Sequence, residues 1–326
     1  TVRNILVDLS LATDGEGITV IGKGHVVENC KVWGTGTTAD PNYIGITARG
    51  QAITVRGNYV NGILDAGNTS DRAGYGIFLA GDGNSAEGND VQDCKHDIST
   101  SERRAYSTKL RILDNRIRQR DDWAAVTSSP GLYLFLGALD VHANVRTVEI
   151  RGNDIRSPRI GLSIRNGDFD VVNNRVEIRE QSGLPYVQHV NGFGEAFITR
   201  GVLMGNTFIA PTTATQFYWD HPDYGATGTH RKMAWIGNVF MGAGLAITDQ
   251  EGSTVNTFED LIIQGNFFER TNGTPLAIIG AVSNAVVSGN VFRYGGTGNG
   301  IFVAIPESAG LGREVFVSGN TFVRSP

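Results

Sequence analysis

The stretch AVVSGNVF, residues 285–292, decides the fold, because the chain keeps rewriting it. Its relatives are TVRGNYV (54–60), SAEGNDV (85–91), EIRGNDI (149–155), VLMGNTF (202–208), AWIGNVF (234–240), IIQGNFF (262–268) and VFVSGNTF (315–322). Each has alternating strand-like residues, then Gly-Asn or a variant of it, then one residue and an apolar one. The motif asparagines read as Asn29, Asn58, Asn89, Asn115, Asn153, Asn174, Asn206, Asn238, Asn266, Asn290 and Asn320. Their steps run from 21 to 38 residues and average about 29. A repeat of 20–50 residues signals stacked supersecondary units.

The residues around each Asn are β-branched or aromatic and alternate with a period of two, as half-buried strands do. Asn is among the few non-glycine residues that tolerate the left-handed backbone region. Each Gly-Asn therefore reads as a tight corner between two short strands. A further strand recurs in each unit: IGITARG, YGIFLAG, ALDVHA, IGLSIRN, GLAITDQ, PLAIIGA and GIFVAIP. Three short strands per unit, uneven loops and no helical period imply an all-β right-handed parallel β-helix with three short parallel sheets. About eleven rungs are expected, forming a rod of about 50 Å at the spacing of parallel strands. Stacked asparagines can hydrogen-bond along the corner.

Composition narrows the function. The 326 residues hold 43 glycines and 9 prolines, which suits one solenoid domain over 1–326. A net charge of −5 with no basic tract argues against nucleic acid as a partner. No apolar run approaches the ~20 residues of a membrane span, so no membrane insertion is expected. Cys30 and Cys94 fall at different places in their units and read as small core hydrophobes without a disulfide. Neither end shows a polar lid, and a solenoid needs caps. The expectation is a segment of a longer chain, or ends covered by partner chains.

The chemistry-bearing candidates come from alternation within the third strand. With Leu139 and Val141 inward, Asp140 and His142 point out; with Leu162 and Ile164 inward, Arg165 points out; with Ile98 inward, Asp97 points out. The rungs of Asp97 and Asp140 are consecutive, so the two carboxylates are expected to stack about 5 Å apart. His142 would stand about 7 Å along from Asp140, with Arg165 on the next rung. Paired carboxylates drive one pKa up, as a general acid needs. His142 can serve as base and Arg165 can hold a substrate carboxylate. Long excursions flank this face: 99–109 with Arg103, and 119–136 with Asp121, Asp122 and Trp123. A second patch, FYWDHPDY at 217–224, offers Tyr218, Trp219, Asp220 and His221 as a sugar-stacking surface.

With its Gly-Asn corners, the chain resembles the pectate-lyase-like superfamily over essentially its whole length. The strand carrying His96-Asp97, followed one rung later by Asp140-x-His142, resembles β-helix proteins of phage-tail and surface-associated families. The resemblance implies a polysaccharide partner, cleaved by β-elimination or hydrolysis. It also implies an extracellular, cell-surface or virion location and, as in tailspikes, a homotrimer. No cofactor is expected, although a carboxylate pair could take calcium. The alternative reading is a non-catalytic glycan-binding or adhesin rod.

Overall fold

The computed structural model describes residues 1–12, 15–34, 43–64, 74–100, 107–121, 137–142, 145–158, 160–164, 167–179, 186–189, 198–211, 216–220, 229–248, 257–270, 273–296, 299–304 and 314–324. At some strand positions, Tyr218, Trp219 and Asp220 among them, it describes the backbone alone. The described strands form three all-parallel sheets of twelve, twelve and eleven strands. The stack is therefore slightly taller than the eleven Gly-Asn motifs suggest. One rung runs from Thr54–Arg56 in the first sheet, round the Gly57-Asn58 corner, to Tyr59–Asn61 in the second. It then passes to Tyr75–Asp82 in the third sheet and on to Ser85–Glu87, back in the first. Successive strands in a sheet come from successive rungs, so almost every pairing links residues far apart in sequence.

The corner differs from the expected one in a single respect. The left-handed residue is the glycine, with φ of 61° at Gly57 and 65° at Gly205, and the following Asn turns its side chain into the corner. Where glycine is missing, Asn29, Asp114 and Asn173 take the left-handed place, with φ of 54° to 55°. Asn29 therefore occupies the glycine position, and Cys30 stands where the other rungs place their asparagine. The asparagine column proper begins at Asn58, whose Oδ1 accepts the Cys30 N–H at 2.9 Å.

From there the column runs without a break to Asn320. Asn206 shows the pattern. Its Oδ1 accepts both the backbone N–H and the side-chain Nδ2 of Asn174, at 2.9 and 3.0 Å. Its own Nδ2 donates to Val171 O at 2.8 Å and to Asn238 Oδ1 at 2.9 Å. A buried amide group costs free energy unless it is paired. Here each side chain satisfies its neighbour's backbone as well as itself.

The interior is apolar along the whole rod. The inward position of the second sheet is Val60, Val91, Ile117, Ile155 and Val176 in the lower rungs, then Phe208, Phe240, Phe268 and Phe292, all buried. The phenylalanine rings stack with centroids 4.8 to 5.0 Å apart, the strand spacing itself. Cys30 and Cys94 are free and buried, as the sequence suggests.

The ladder makes a graded prediction. Asn206→Ala orphans the buried backbone N–H of Asn174 and takes one acceptor from its Nδ2, and should cost about 3 kcal/mol in urea unfolding. Asn320→Ala leaves the same groups of Asn290 in a part-buried setting that water can reach, and should cost about 1 kcal/mol. Equal losses at the two positions would contradict the ladder's role.

Candidate active site

The third sheet carries the candidate residues, and its register decides which of them meet. Strand His96–Thr100 pairs with Gly137–Val141 through Ile98 with Leu139, Ser99 with Asp140 and Thr100 with Val141. The residue stacked under Asp140 is thus Ser99, and the expected Asp97–Asp140 pair does not form. Asp97 sits opposite Gly76, because His96 pairs with Tyr75 and Ile98 with Ile77. The strand bends at this level, and the side-chain direction there is inward. A Cβ built on Gly76 would lie 2.6 Å from Val91 Cγ1 and 2.9 Å from Cys94 Sγ, both core groups. Simple alternation fails at the bend, and Asp97 goes into the core.

Asp97 is fully buried. Its Oδ1 accepts the Cys94 N–H at 3.0 Å, and its Oδ2 has no hydrogen-bond partner among the described residues. Burial pushes its pKa well up, partly countered by the Cys94 N–H. Burial thus favours its neutral form inside the core, where the group serves the turn.

Asp140 lies on the outer face and is completely buried. Strand Gly137–Val141 ends one residue before His142, whose imidazole folds back over the carboxylate. His142 Nε2 stands 2.9 Å from Asp140 Oδ2, so the two side chains meet across the two-residue step between them. The same nitrogen lies 3.1 Å from Ser99 Oγ. This is not a serine–histidine–aspartate relay, which would use one ring nitrogen for serine and the other for aspartate. With the carboxylate ionised and able only to accept, Nε2 is the protonated nitrogen of this pair. Nδ1 has no hydrogen-bond partner among the described residues. The His142 side chain is 23% exposed, whereas Asp140 is at 0%.

Two further residues, absent from the expected catalytic set, complete the cluster. His96 is buried, donates from Nδ1 to Gly137 O at 2.8 Å and stands 3.7 Å from Asp140 Oδ2. Tyr75 stacks on Phe78 at 5.3 Å and meets the rings of His96 and His142 at 5.5 and 5.8 Å. Alternation from Ile98 and Ile77 sets both residues inward, so the sequence pattern carried no signal for either.

The other candidates separate. Arg103, Trp123, Arg165 and His221 lie outside the described residues. Tyr218, Trp219 and Asp220 belong to a strand of the third sheet, Gln216–Asp220. They pair with Ala246, Ile247 and Thr248 on the next rung. Asp121 holds Arg179 and stands 3.5 Å from Arg156, so it is a surface ion-pair partner. Among the described residues no group of three His, Cys, Asp or Glu side chains could hold a metal ion. No described helix is long and apolar enough to cross a membrane.

A family model for the right-handed beta helix region matches residues 1–176. The chain belongs to the right-handed β-helix family. No curated protein matches it. Among solved structures it is similar to the Dettilon tailspike protein gp208, at 16% identity over 99% of this chain and 54% of that one, with a TM-score of 0.45. It is similar to PfbA, a surface adhesin of Streptococcus pneumoniae, at 13% identity over 99% and 82% of the two chains, with a TM-score of 0.47. A third is the tailspike protein gp49 from Pseudomonas phage LKA1, at 14% identity over 86% and 51%, with a TM-score of 0.36. The chain thus spans about half the length of each tailspike.

The buried Asp97 gives a pH test with a definite sign. Its folded pKa is raised, so the native state keeps a proton that the unfolded chain releases above about 3.9. Its contribution is fully present below that pH and is lost as pH rises toward the folded value. Asp97→Asn should therefore be more stable than wild type at pH 7, with the gap closing as pH falls to about 4. A gap independent of pH in denaturant titrations would contradict a protonated Asp97.

Proposed function

We propose that the chain cleaves a polysaccharide on the outer face of the third sheet, with His142 as proton-abstracting base and Asp140 as the group that orients it. One observation carries this reading. Asp140 Oδ2 lies 2.9 Å from His142 Nε2, which supports a reading in which the carboxylate holds a proton on that nitrogen and Nδ1 is the basic atom. A completely buried carboxylate whose partner imidazole reaches solvent is arranged for proton transfer at the surface. A solvated charge ladder would leave both groups exposed.

The chemistry best supported is β-elimination from a uronic acid. The C5 proton passes to His142 Nδ1, and its electron pair forms the C4=C5 double bond. The C4–O bond breaks, and the leaving oxygen takes up a proton. Arg165, expected from the sequence on the following rung, would balance the uronate carboxylate. Hydrolysis by two carboxylates has weaker support. It needs a second carboxyl about 5 Å or 6.5–9.5 Å away, and Asp97 is engaged in the core. A substrate of this class accords with a cell-surface, extracellular or virion setting.

The test is an assay on alginate, pectate, hyaluronan, heparin, gellan and bacterial capsules, read for reducing ends and for the ultraviolet absorbance of unsaturated uronate. Both signals should rise together. Asp140→Asn and His142→Ala should each lower the rate by at least about 100-fold with unchanged circular dichroism. Full activity in either variant would sink the site. Reducing ends without absorbance would replace elimination by hydrolysis, and silence on every polymer would favour a glycan-binding rod.

A further inference from the structure

The outward side chains of the first sheet change character at one level of the rod. The register aligns Thr54, Ser85, Arg111, Glu149 and Asp170 in one outward column. The same column continues as Val202, Ala234, Ile262, Val286 and Phe316. Five consecutive rungs thus place an apolar side chain at a position that is polar on the five rungs before them. Val172, Met204 and Ile236 widen the stripe in the neighbouring column. The core does not demand this, because the alternate residues Leu203, Trp235, Ile263 and Val287 already fill it and are buried.

The stripe is open. Met204 is 43% exposed, Ile262 40%, Val286 38% and Phe316 56%. Those four side chains alone present roughly 350 Å² of apolar surface, taking about 200 Å² for a fully exposed one. That is already within the range of patches that mark interaction sites. A standard interface buries about 800 Å² per partner, a little over half of it apolar. The half-buried Val172, Val202 and Ile236 bring the patch close to that requirement.

We infer that a second copy of this chain docks on the stripe, antiparallel, with the two-fold axis crossing it at Ile262. Carbohydrate is a poor occupant, since the column has no hydrogen-bonding side chain from Val202 to Phe316. A copy of the same stripe is self-complementary, as a two-fold interface requires. Ile262 meets Ile262, Ala234 meets Val286 and Val202 meets Phe316, so small faces large. Gln264, in the neighbouring column, meets its own copy, where the two amides can exchange hydrogen bonds. Charge selects the antiparallel arrangement. Parallel rods would set Arg111 against Arg111, and Asp170 against Asp170, at the same height, which costs free energy. In the antiparallel pair Arg111, Glu149 and Asp170 do not face their own copies.

Sedimentation velocity over a dilution series, with single-cysteine cross-linking, tests this. The wild type should form a reversible dimer. Ile262→Glu, on the exposed face, should keep its circular dichroism and raise the dissociation constant at least about tenfold. Val202→Cys mixed with Phe316→Cys should give a mixed disulfide. Phe316→Cys alone should give none, because its own copy lies about 19 Å away along the rod. The native Cys30 and Cys94 are buried and do not compete. A monomer at every concentration would overturn the inference and leave the stripe to a different occupant. So would a dimer indifferent to Ile262→Glu, or Phe316→Cys joining to itself as in a parallel bundle.

Discussion

The structure depends on one repeated interaction, the pair of hydrogen bonds that each corner asparagine accepts from the asparagine before it. Asn89 Oδ1 takes the N–H and Nδ2–H of Asn58, Asn115 takes those of Asn89, and so on along the stack. The bonds are buried, so a slip of one rung relative to the next would strand several polar groups at once. They also fix register, since a one-residue shift would exchange the inner and outer faces of a strand. Everything placed on the outside of the rod inherits its position from this interior column.

The candidate site is one such inheritance. Ser99 lies beneath Asp140 because Ile98 lies beneath Leu139, and the same pairing brings His96 to Gly137 O. The carboxylate is buried, while His142, just beyond the strand end, supplies the imidazole that meets it and reaches solvent. The rod changes at the rung of Val202 and Phe208. Above it the second sheet fills the core with phenylalanine, and the first sheet turns apolar outward. The lower rungs carry crossed ion pairs such as Glu28 with Arg56 and Glu87 with Arg111. On the first sheet one outward column thus runs from polar to apolar, beside upper-rung charges such as the Arg231–Glu259 pair.

Much of this was legible in the residues. The Gly-Asn repeat and the alternating strands gave the parallel β-helix, its three sheets and the burial of both cysteines, because those features depend on local pattern. Asn29 misled because an Asn can stand in for the left-handed glycine, and only the geometry shows that Cys30 follows it in the asparagine place. Asp97 misled for a different reason. Alternation assumes a straight strand, and the third sheet bends where Gly45, Gly76 and Gly161 stand on other rungs. At Gly45 a Cβ would come within 2.7 Å of Val60 Cγ1, which marks the position as inward-facing. The strand spacing placed His142 near Asp140 but not the contact of their side chains, because a residue just past a strand end is free to fold back.

The central claim is that the register orients His142 through Asp140. Nitrogen-15 NMR of the imidazole tests it most directly. The account predicts a hydrogen-bonded, slowly exchanging Nε2–H proton on neutral His142, a bare Nδ1, and loss of that proton's protection in Asp140→Ala. A proton resident on Nδ1, or an Nε2–H that exchanges as fast as a free imidazole's, would contradict it.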